Sequence, residues 1–284
     1  MASDVTAAAA LEMTRSGPYY GEPADTILRF FEELMRNILV TAVLAVLVSS
    51  AAGTVGAKTA QTSRPDAARS AVANAALPAI DRTAARNSGI NLQVLDLALT
   101  AVSCGVASGD LDVPPTLTLI DYSLPSTTPR LWVFDMHSGK ILFNELVAHG
   151  RNTGDNMAVR FSDAMESRES SIGLFRTADT YVGHNGYSLR LDGLEPGFNA
   201  HARERAIVMH GAPYVNADVA KANGRLGRSW GCPALREAVA RQVIDTVRGG
   251  GVIFSYYPDA TWLKTSRFLN CRVQKDPAYT VATR

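Results

Sequence analysis

From Pro114 onward the chain becomes a succession of short segments rich in β-branched and aromatic residues, each bounded by turn formers. Thr116–Tyr122, Leu131–Met136 and Ile141–Val147 read as strands, and His137-Ser138-Gly139-Lys140 as the hairpin turn between the last two. Ile172–Thr177, Tyr181–Gly183 and Ser188–Leu194 follow. The last two are joined by His184-Asn185-Gly186, where Asn-Gly is a strong two-residue hairpin signal. Ala206–Met209 is a short apolar strand ending at His210, and residues 211–228 read as a long loop. Residues 76–107 read as largely helical, with a break at Ser88-Gly89. Leu92, Leu95, Leu99, Val102 and Val106 recur at steps of three and four, and Ser108-Gly109 stops the helix. Pro233–Arg248 reads as a second helix, with Leu235, Val239, Val243, Ile244 and Val247 broadly on one face and Gly249-Gly250-Gly251 ending it. Val252–Tyr257 is the final strand. This order predicts an α+β, mainly β domain with helices packed beside it.

A length of 284 residues allows one large domain or two small ones. Ile38–Val48 is an uncharged apolar run followed by small residues, including Val55-Gly56-Ala57, which fits a signal-peptidase site. The run is shorter than the roughly 20 residues of a membrane span. Residues 1–34 are acidic, whereas a secretory signal starts positive; Met35-Arg36-Asn37 is a normal start. The expected layout is therefore a non-native or disordered extension over 1–34, a signal peptide over 35–57, a linker over 58–84, a catalytic domain over 85–272 and a tail over 273–284. The rival reading keeps the leader uncleaved as an N-terminal membrane anchor.

The net charge of +1 gives no reason to expect nucleic acid. After position 57 there are 25 basic and 21 acidic residues, a mildly basic balance that suits anionic substrates in a cell envelope. Three cysteines, Cys104, Cys232 and Cys271, suggest one disulfide plus one free thiol in an exported protein. Cys104–Cys271 is then the pair and Cys232 the reactive thiol; the other reading makes Cys104 a small core residue.

Cys232 lies in Arg228-Ser229-Trp230-Gly231-Cys232-Pro233. Gly231 lets another backbone come close, and Pro233 fits the first turn of a helix, which aims the thiol at a helix N-terminus that favours thiolate. His210 stands 22 residues earlier at a strand end. An imidazole that takes the thiol proton, or holds the thiolate as an ion pair, makes a nucleophile and base. Backbone amides near Gly231 and Cys232 would form an oxyanion hole, and Ser229 would hold the loop or the histidine. His149, in Ala-His-Gly-Arg, is the next base or substrate contact, with a turn role as the alternative. His137, His184 and His201 read as turn or solvent residues. Tyr214 is a candidate for the cleft wall.

His210-Gly211 followed by Ser229-Trp230-Gly231-Cys232 resembles the signature of the YkuD-type L,D-transpeptidases, and more closely their second, Gram-negative-rich subfamily. Ile120-Asp121-Tyr122-Ser123, Val147-Ala148-His149-Gly150, Ser188-Leu189-Arg190-Leu191 and Gly227–Leu235 carry the same resemblance, which covers roughly residues 85–270. It implies a β-sandwich or barrel with flanking helices, export to the periplasm or cell envelope, and peptidoglycan stem peptides as substrate. It implies Cys232 as nucleophile, His210 as base, and Ser229 and Gly231 as the supporting loop. Trp230 stands where the wider family usually has a second histidine, and Pro233-Ala234 where an apolar residue and an arginine usually follow the cysteine. Arg225 and Arg228 are the candidates to replace that arginine in gripping a stem carboxylate.

The expected reaction is attack of Cys232 on a tetrapeptide stem, giving a thioester that an amine or water resolves. The alternatives are an L,D-carboxypeptidase trimming stems to tripeptides and a non-catalytic peptidoglycan-binding envelope protein. A papain-like enzyme usually places cysteine before histidine, the reverse of the order here. No cofactor is expected, and no metal: His149, His210 and Cys232 lack a zinc-motif spacing.

Overall fold

Ile141–Val147 reads as one strand, and the structure cuts it at Leu146. The reason is the closure of the fold. The computed structural model describes residues 77 and 79–271; the leader, the signal segment and the tail lie outside the described residues. Its elements are α1 (Arg82–Asn87), α2 (Leu92–Ser108), β1 (Thr116–Asp121), β2 (Leu131–Asp135), β3 (Ile141–Glu145), β4 (Val147–Ala148), β5 (Gly173–Gly183), β6 (Gly186–Gly193), β7 (Val208–Ala212), α3 (Ala217–Asn223), β8 (Ala234–Arg236), α4 (Glu237–Val247), β9 (Val252–Tyr256) and α5 (Ala260–Thr265).

The strands of the described residues form one sheet in the order β3-β2-β1-β9-β5-β6-β7-β8-β4. Its two ends, β3 and β4, are separated by a single residue of chain, so the sheet has to roll until its edges meet. Side chains seal that seam. Arg236 of β8 grips Glu145 of β3 through two bonds of 2.7 and 2.8 Å. The buried Arg130 guanidinium donates twice to the Val147 carbonyl of β4, at 2.9 and 3.1 Å. β1 runs parallel to β9 and β7 parallel to β8; the other pairings are antiparallel.

Strand alternation divides the core into two. Leu117, Leu119, Trp132, Phe134, Val252 and Phe254 face outward under α1, α2 and α5, against Leu95, Ala98 and Trp262. Ile120, Leu131, Val133 and Ile253 face the other way, against Ala240, Val243, Ile244 and Val247 of α4. With both faces covered, β1 is buried along its whole length. The mainly β, α+β expectation holds, as a nearly closed sheet with flanking helices.

Several boundaries move. Ile172–Thr177 and Tyr181–Gly183 are one strand, β5, with a register shift between Thr177 and Thr180. β7 runs through His210 instead of ending there. The expected loop over 211–228 contains α3, capped by Asn216, whose Oδ1 accepts from Val219 N. Ile80 belongs to the core and Asp81 caps α1, so the folded part begins inside the stretch read as a linker. The helix expected from Pro233 starts only at Glu237, because Ala234–Arg236 are taken up as β8 between β7 and β4.

Cys104 of α2 and Cys271 form a disulfide across 167 residues of chain, and Cys232 is the free cysteine. Closing so long a loop restricts the unfolded chain strongly; typical disulfides contribute about 2–4 kcal/mol. Cys104→Ser should therefore lower the thermal midpoint by roughly 10 °C, and reductant should produce the same drop in the wild type and none in the variant. Equal midpoints with and without reductant in the wild type would contradict this bond.

Candidate active site

Two glycine backbones touch where the Cys232 loop meets the loop after β4. Gly231 has φ 126, and a Cβ there would lie 2.8 Å from the Glu169 carbonyl oxygen and 2.9 Å from Ile207 Cδ1. A Cβ on Gly150 would meet the Gly231 Cα at 2.9 Å. Glycine at both positions allows this approach. Serines then lock it. Ser170 Oγ donates to the Gly231 carbonyl and accepts from Gly150 N, both at 3.0 Å. Ser229 Oγ donates to the Cys232 carbonyl at 2.6 Å and accepts from Gly231 N at 3.1 Å. Of its two expected jobs, Ser229 does the first: it holds the loop.

The lock presses Cys232 against β7. The Val208 amide donates to Cys232 Sγ at 3.5 Å, and the thiol donates to the Ala206 carbonyl at 3.7 Å. Ala206 has φ 53, a left-handed conformation that costs an alanine about 1–2 kcal/mol and turns the chain into β7. His210 pairs with Ala234 across the parallel β7–β8 ladder, which sets Cys232 beside Val208. His210 is two residues further on, about 7 Å along the strand. Its Nδ1 bonds the Gly211 carbonyl at 2.8 Å, so Nδ1 carries the proton and Nε2 is left as the acceptor. His210 thus stands on β7, and Cys232 stands two residues before β8, the strand paired with it.

The electrostatics differ from the expectation. Ala234–Arg236 form β8 after Pro233, so the helix that follows begins at Glu237 and does not start at the thiol. Burial pushes the Cys232 thiol up; the Val208 amide, the Arg205 charge and its own amide oppose this. Burial also lowers the His210 pKa. The resting pair is thus a neutral thiol and a neutral imidazole. The expected oxyanion donor at Gly231 is spent on Ser229 Oγ; the amides directed at the sulfur are those of Val208 and Cys232.

The remaining candidates separate. Tyr214 lies close enough to Cys232 that the thiolate charge adds to the burial raising its phenol to about 12. Its side chain also crowds Gly227, whose added Cβ would fall 2.4 Å from Tyr214 Cβ. Arg228 Nη1 bonds Asp155, at 2.9 Å, and the carbonyls of Arg151 and Gly154; Arg225 donates to Leu226 O and faces the same Asp155 at 3.7 Å. Both are tied to the loop around Asp155. His149 is buried, with Nδ1 accepting from Arg130 at 2.8 Å and Nε2 directed at Gly154 O at 3.3 Å. Burial, then the Arg130 charge, hold it down to about 4. Both nitrogens being engaged, His149 braces the seam. His201 pairs with Asp163 at 2.9 Å rather than facing solvent alone.

Arg205 was not anticipated. Its guanidinium donates to Ser162 O, Ser171 Oγ, Ser167 Oγ and Glu169 O, all at 2.7–2.9 Å, and so ties the 162–171 loop to the approach of β7. All four bonded acceptors are neutral; its charge acts on the Asp163 and Glu169 carboxylates nearby and also favours a thiolate on Cys232. In His201–Arg205 it reads as part of a solvated polar run; its partners lie more than thirty residues away, where no local pattern finds them.

Acid should unfold this centre. His149 binds fewer protons folded than unfolded between about 4 and the ordinary value near 6.5, so its contribution is complete above that interval and lost as pH falls through it. The loss is on the order of 3 kcal/mol, and His210 adds in the same direction. Urea midpoints should drop across this interval, with a smaller drop in His149→Gln. An unchanged slope in that variant would contradict the assignment.

No curated protein matches the chain. Among solved structures, it is similar to the L,D-transpeptidase from Mycobacterium smegmatis (14% identity, 50% of this chain and 59% of that one, TM-score 0.33). It is likewise similar to Mycobacterium tuberculosis L,D-transpeptidase 1 (16%, 50% and 62%, 0.29) and to the L,D-transpeptidase from Stackebrandtia nassauensis (15%, 57% and 66%, 0.32). The chain thus spans 59–66% of their lengths. The sequence model of the L,D-transpeptidase catalytic domain family matches residues 86–256, which contain the whole rolled sheet, His210 and Cys232, and the chain belongs to that family.

Proposed function

We propose that the protein is a cysteine-dependent peptidoglycan L,D-transpeptidase acting on tetrapeptide stems in the periplasm or cell envelope. The observation that carries the reading is the free thiol of Cys232, clamped on the Val208 amide beside the strand bearing His210. The family membership supports the reaction type. The Cys104–Cys271 disulfide supports an oxidising compartment.

The neutral resting pair sets the order of events. The Cys232 sulfur attacks the carbonyl carbon between the third stem residue and the terminal D-residue, and its proton passes to His210 Nε2. The carbonyl oxygen becomes an oxyanion, stabilised by the Cys232 and Val208 amides and the Arg205 charge. Collapse breaks the C–N bond, and the departing amine takes the proton back from Nε2. A thioester on Cys232 remains. His210 then removes a proton from an incoming amine, whose nitrogen bonds the same carbon and returns the sulfur as thiol. The Gly211 carbonyl keeps the imidazole in the required tautomer throughout. Water in place of the amine releases a tripeptide.

Purified protein incubated with a disaccharide tetrapeptide should give cross-linked dimer, or tripeptide if water wins, by mass spectrometry. A carbapenem should add its mass at Cys232. Cys232→Ala should lose both, and His210→Gln should fall by about 10²–10⁴-fold in turnover. Product from Cys232→Ala, or retained peptidoglycan affinity with no turnover in the wild type, would overturn the reading.

A further inference from the structure

A cleft of about 220 Å³ opens next to the thiol cradle, lined by Tyr181, Arg190, Arg203, Ala206, Ile207 and Val208. Two of these residues also hold the sulfur: Ala206 through its carbonyl and Val208 through its amide. The register places Cys232 beside Val208 and Val208 opposite Arg190. Cys232, Val208 and Arg190 therefore form a row across three adjacent segments, and the arginine sits two strand spacings from the thiol, about 10 Å.

The arginines are fixed in place. Arg190 bonds Asp179 and lies over the Tyr181 ring, 4.2 Å from its centroid. Arg203 bonds Asp192 and reaches Asp179 at 3.5 Å, while Arg176 holds Asp192 from outside the cleft lining at 3.4 Å. Three guanidiniums share two carboxylates, so the cluster carries one surplus positive charge. A guanidinium has five N–H donors, and these bonds leave donors free on Arg190 and Arg203. A cavity of about 150 Å³ already holds a benzene, so this space is enough for a small amino-acid residue and its carboxylate.

We infer that this cleft is the subsite for the carboxylate-bearing terminal residue of the peptide that acylates Cys232, with Arg190 and Arg203 binding the carboxylate. The inference rests on the acyl-transfer reading above and gives the recognition task to this pair, since Arg225 and Arg228 are committed to Asp155 and neighbouring carbonyls. Ser188-Leu189-Arg190-Leu191, one of the stretches shared with the family, thereby gains a chemical role.

The test uses the full chain and two arms. In the first, alkylation of Cys232 by iodoacetamide is followed with added D-alanine or D-alaninamide, each variant being normalised to its own uninhibited rate. D-alanine should protect the wild type at about tenfold lower concentration than the amide, and this preference should vanish in Arg190→Gln and Arg203→Gln. Arg176→Gln, outside the cleft lining, should keep it, and Arg203→Lys should restore part of it. In the second arm, a tetrapeptide donor and its C-terminal amide should differ about tenfold in KM with the wild type and be alike with Arg203→Gln. Equal protection by D-alanine and D-alaninamide in the wild type, or an acid preference surviving both glutamine variants, would overturn the proposal. If no donor is turned over, the acyl-transfer reading fails, and the protection arm alone still decides the cleft.

Discussion

The contact on which the rest of this molecule depends is a weak one, a backbone amide resting on a buried sulfur. The Val208 N–H reaches Cys232 Sγ only because Gly231 and Gly150 let two loops touch, because Ser170 and Ser229 tie them, and because Ala206 accepts a costly conformation at the start of β7. Each device fixes backbone rather than adding charge. The one nearby full charge that favours a thiolate, on Arg205, is spread over four neutral acceptors and also serves to anchor the 162–171 loop.

The rolled sheet explains why such a site is affordable in a fold of this size. Closure brings β8 between β7 and β4, so the segment after Cys232 is a strand laid beside the strand that carries His210. Cys232 and His210 therefore inherit their spacing from a ladder register, a property set by several backbone hydrogen bonds together. The same register extends to Arg190 on β6, which stands opposite Val208 in the ladder. At the seam, Arg130 satisfies Val147, Leu124 and His149 at once, which is how a buried cation is tolerated there.

Much of this was legible in the residues. Alternating strands, the turns at His137–Lys140 and His184–Gly186 and the break at Ser88-Gly89 follow from local chemistry, and the Cys104–Cys271 pair with a free Cys232 follows from the count of three cysteines. The start of α4 departs from the residue pattern because Ala234–Arg236 fit a helix turn as well as a strand; only their two neighbours, β7 and β4, decide, and those are distant in sequence. The same ambiguity underlies the expectation of a thiol lowered by a helix dipole. Arg205, Ser170 and the Gly211 carbonyl escaped notice because their roles lie in contacts made across the fold, and a carbonyl has no side-chain signature. Arg225 and Arg228 read as replacements for the arginine that usually follows the cysteine, yet Asp155 claims both.

The central claim is that the resting centre holds a protonated thiol and a neutral imidazole, with the proton moving only during attack. The direct measurement is the pH dependence of thiolate absorbance at Cys232, in the wild type and in His210→Gln, with Cys232→Ala as the blank. The account predicts ionisation above the free-cysteine value of about 8.5 and little change on removing the imidazole. A thiolate already present near neutral pH, and lost in His210→Gln, would mean a preformed ion pair and would contradict it.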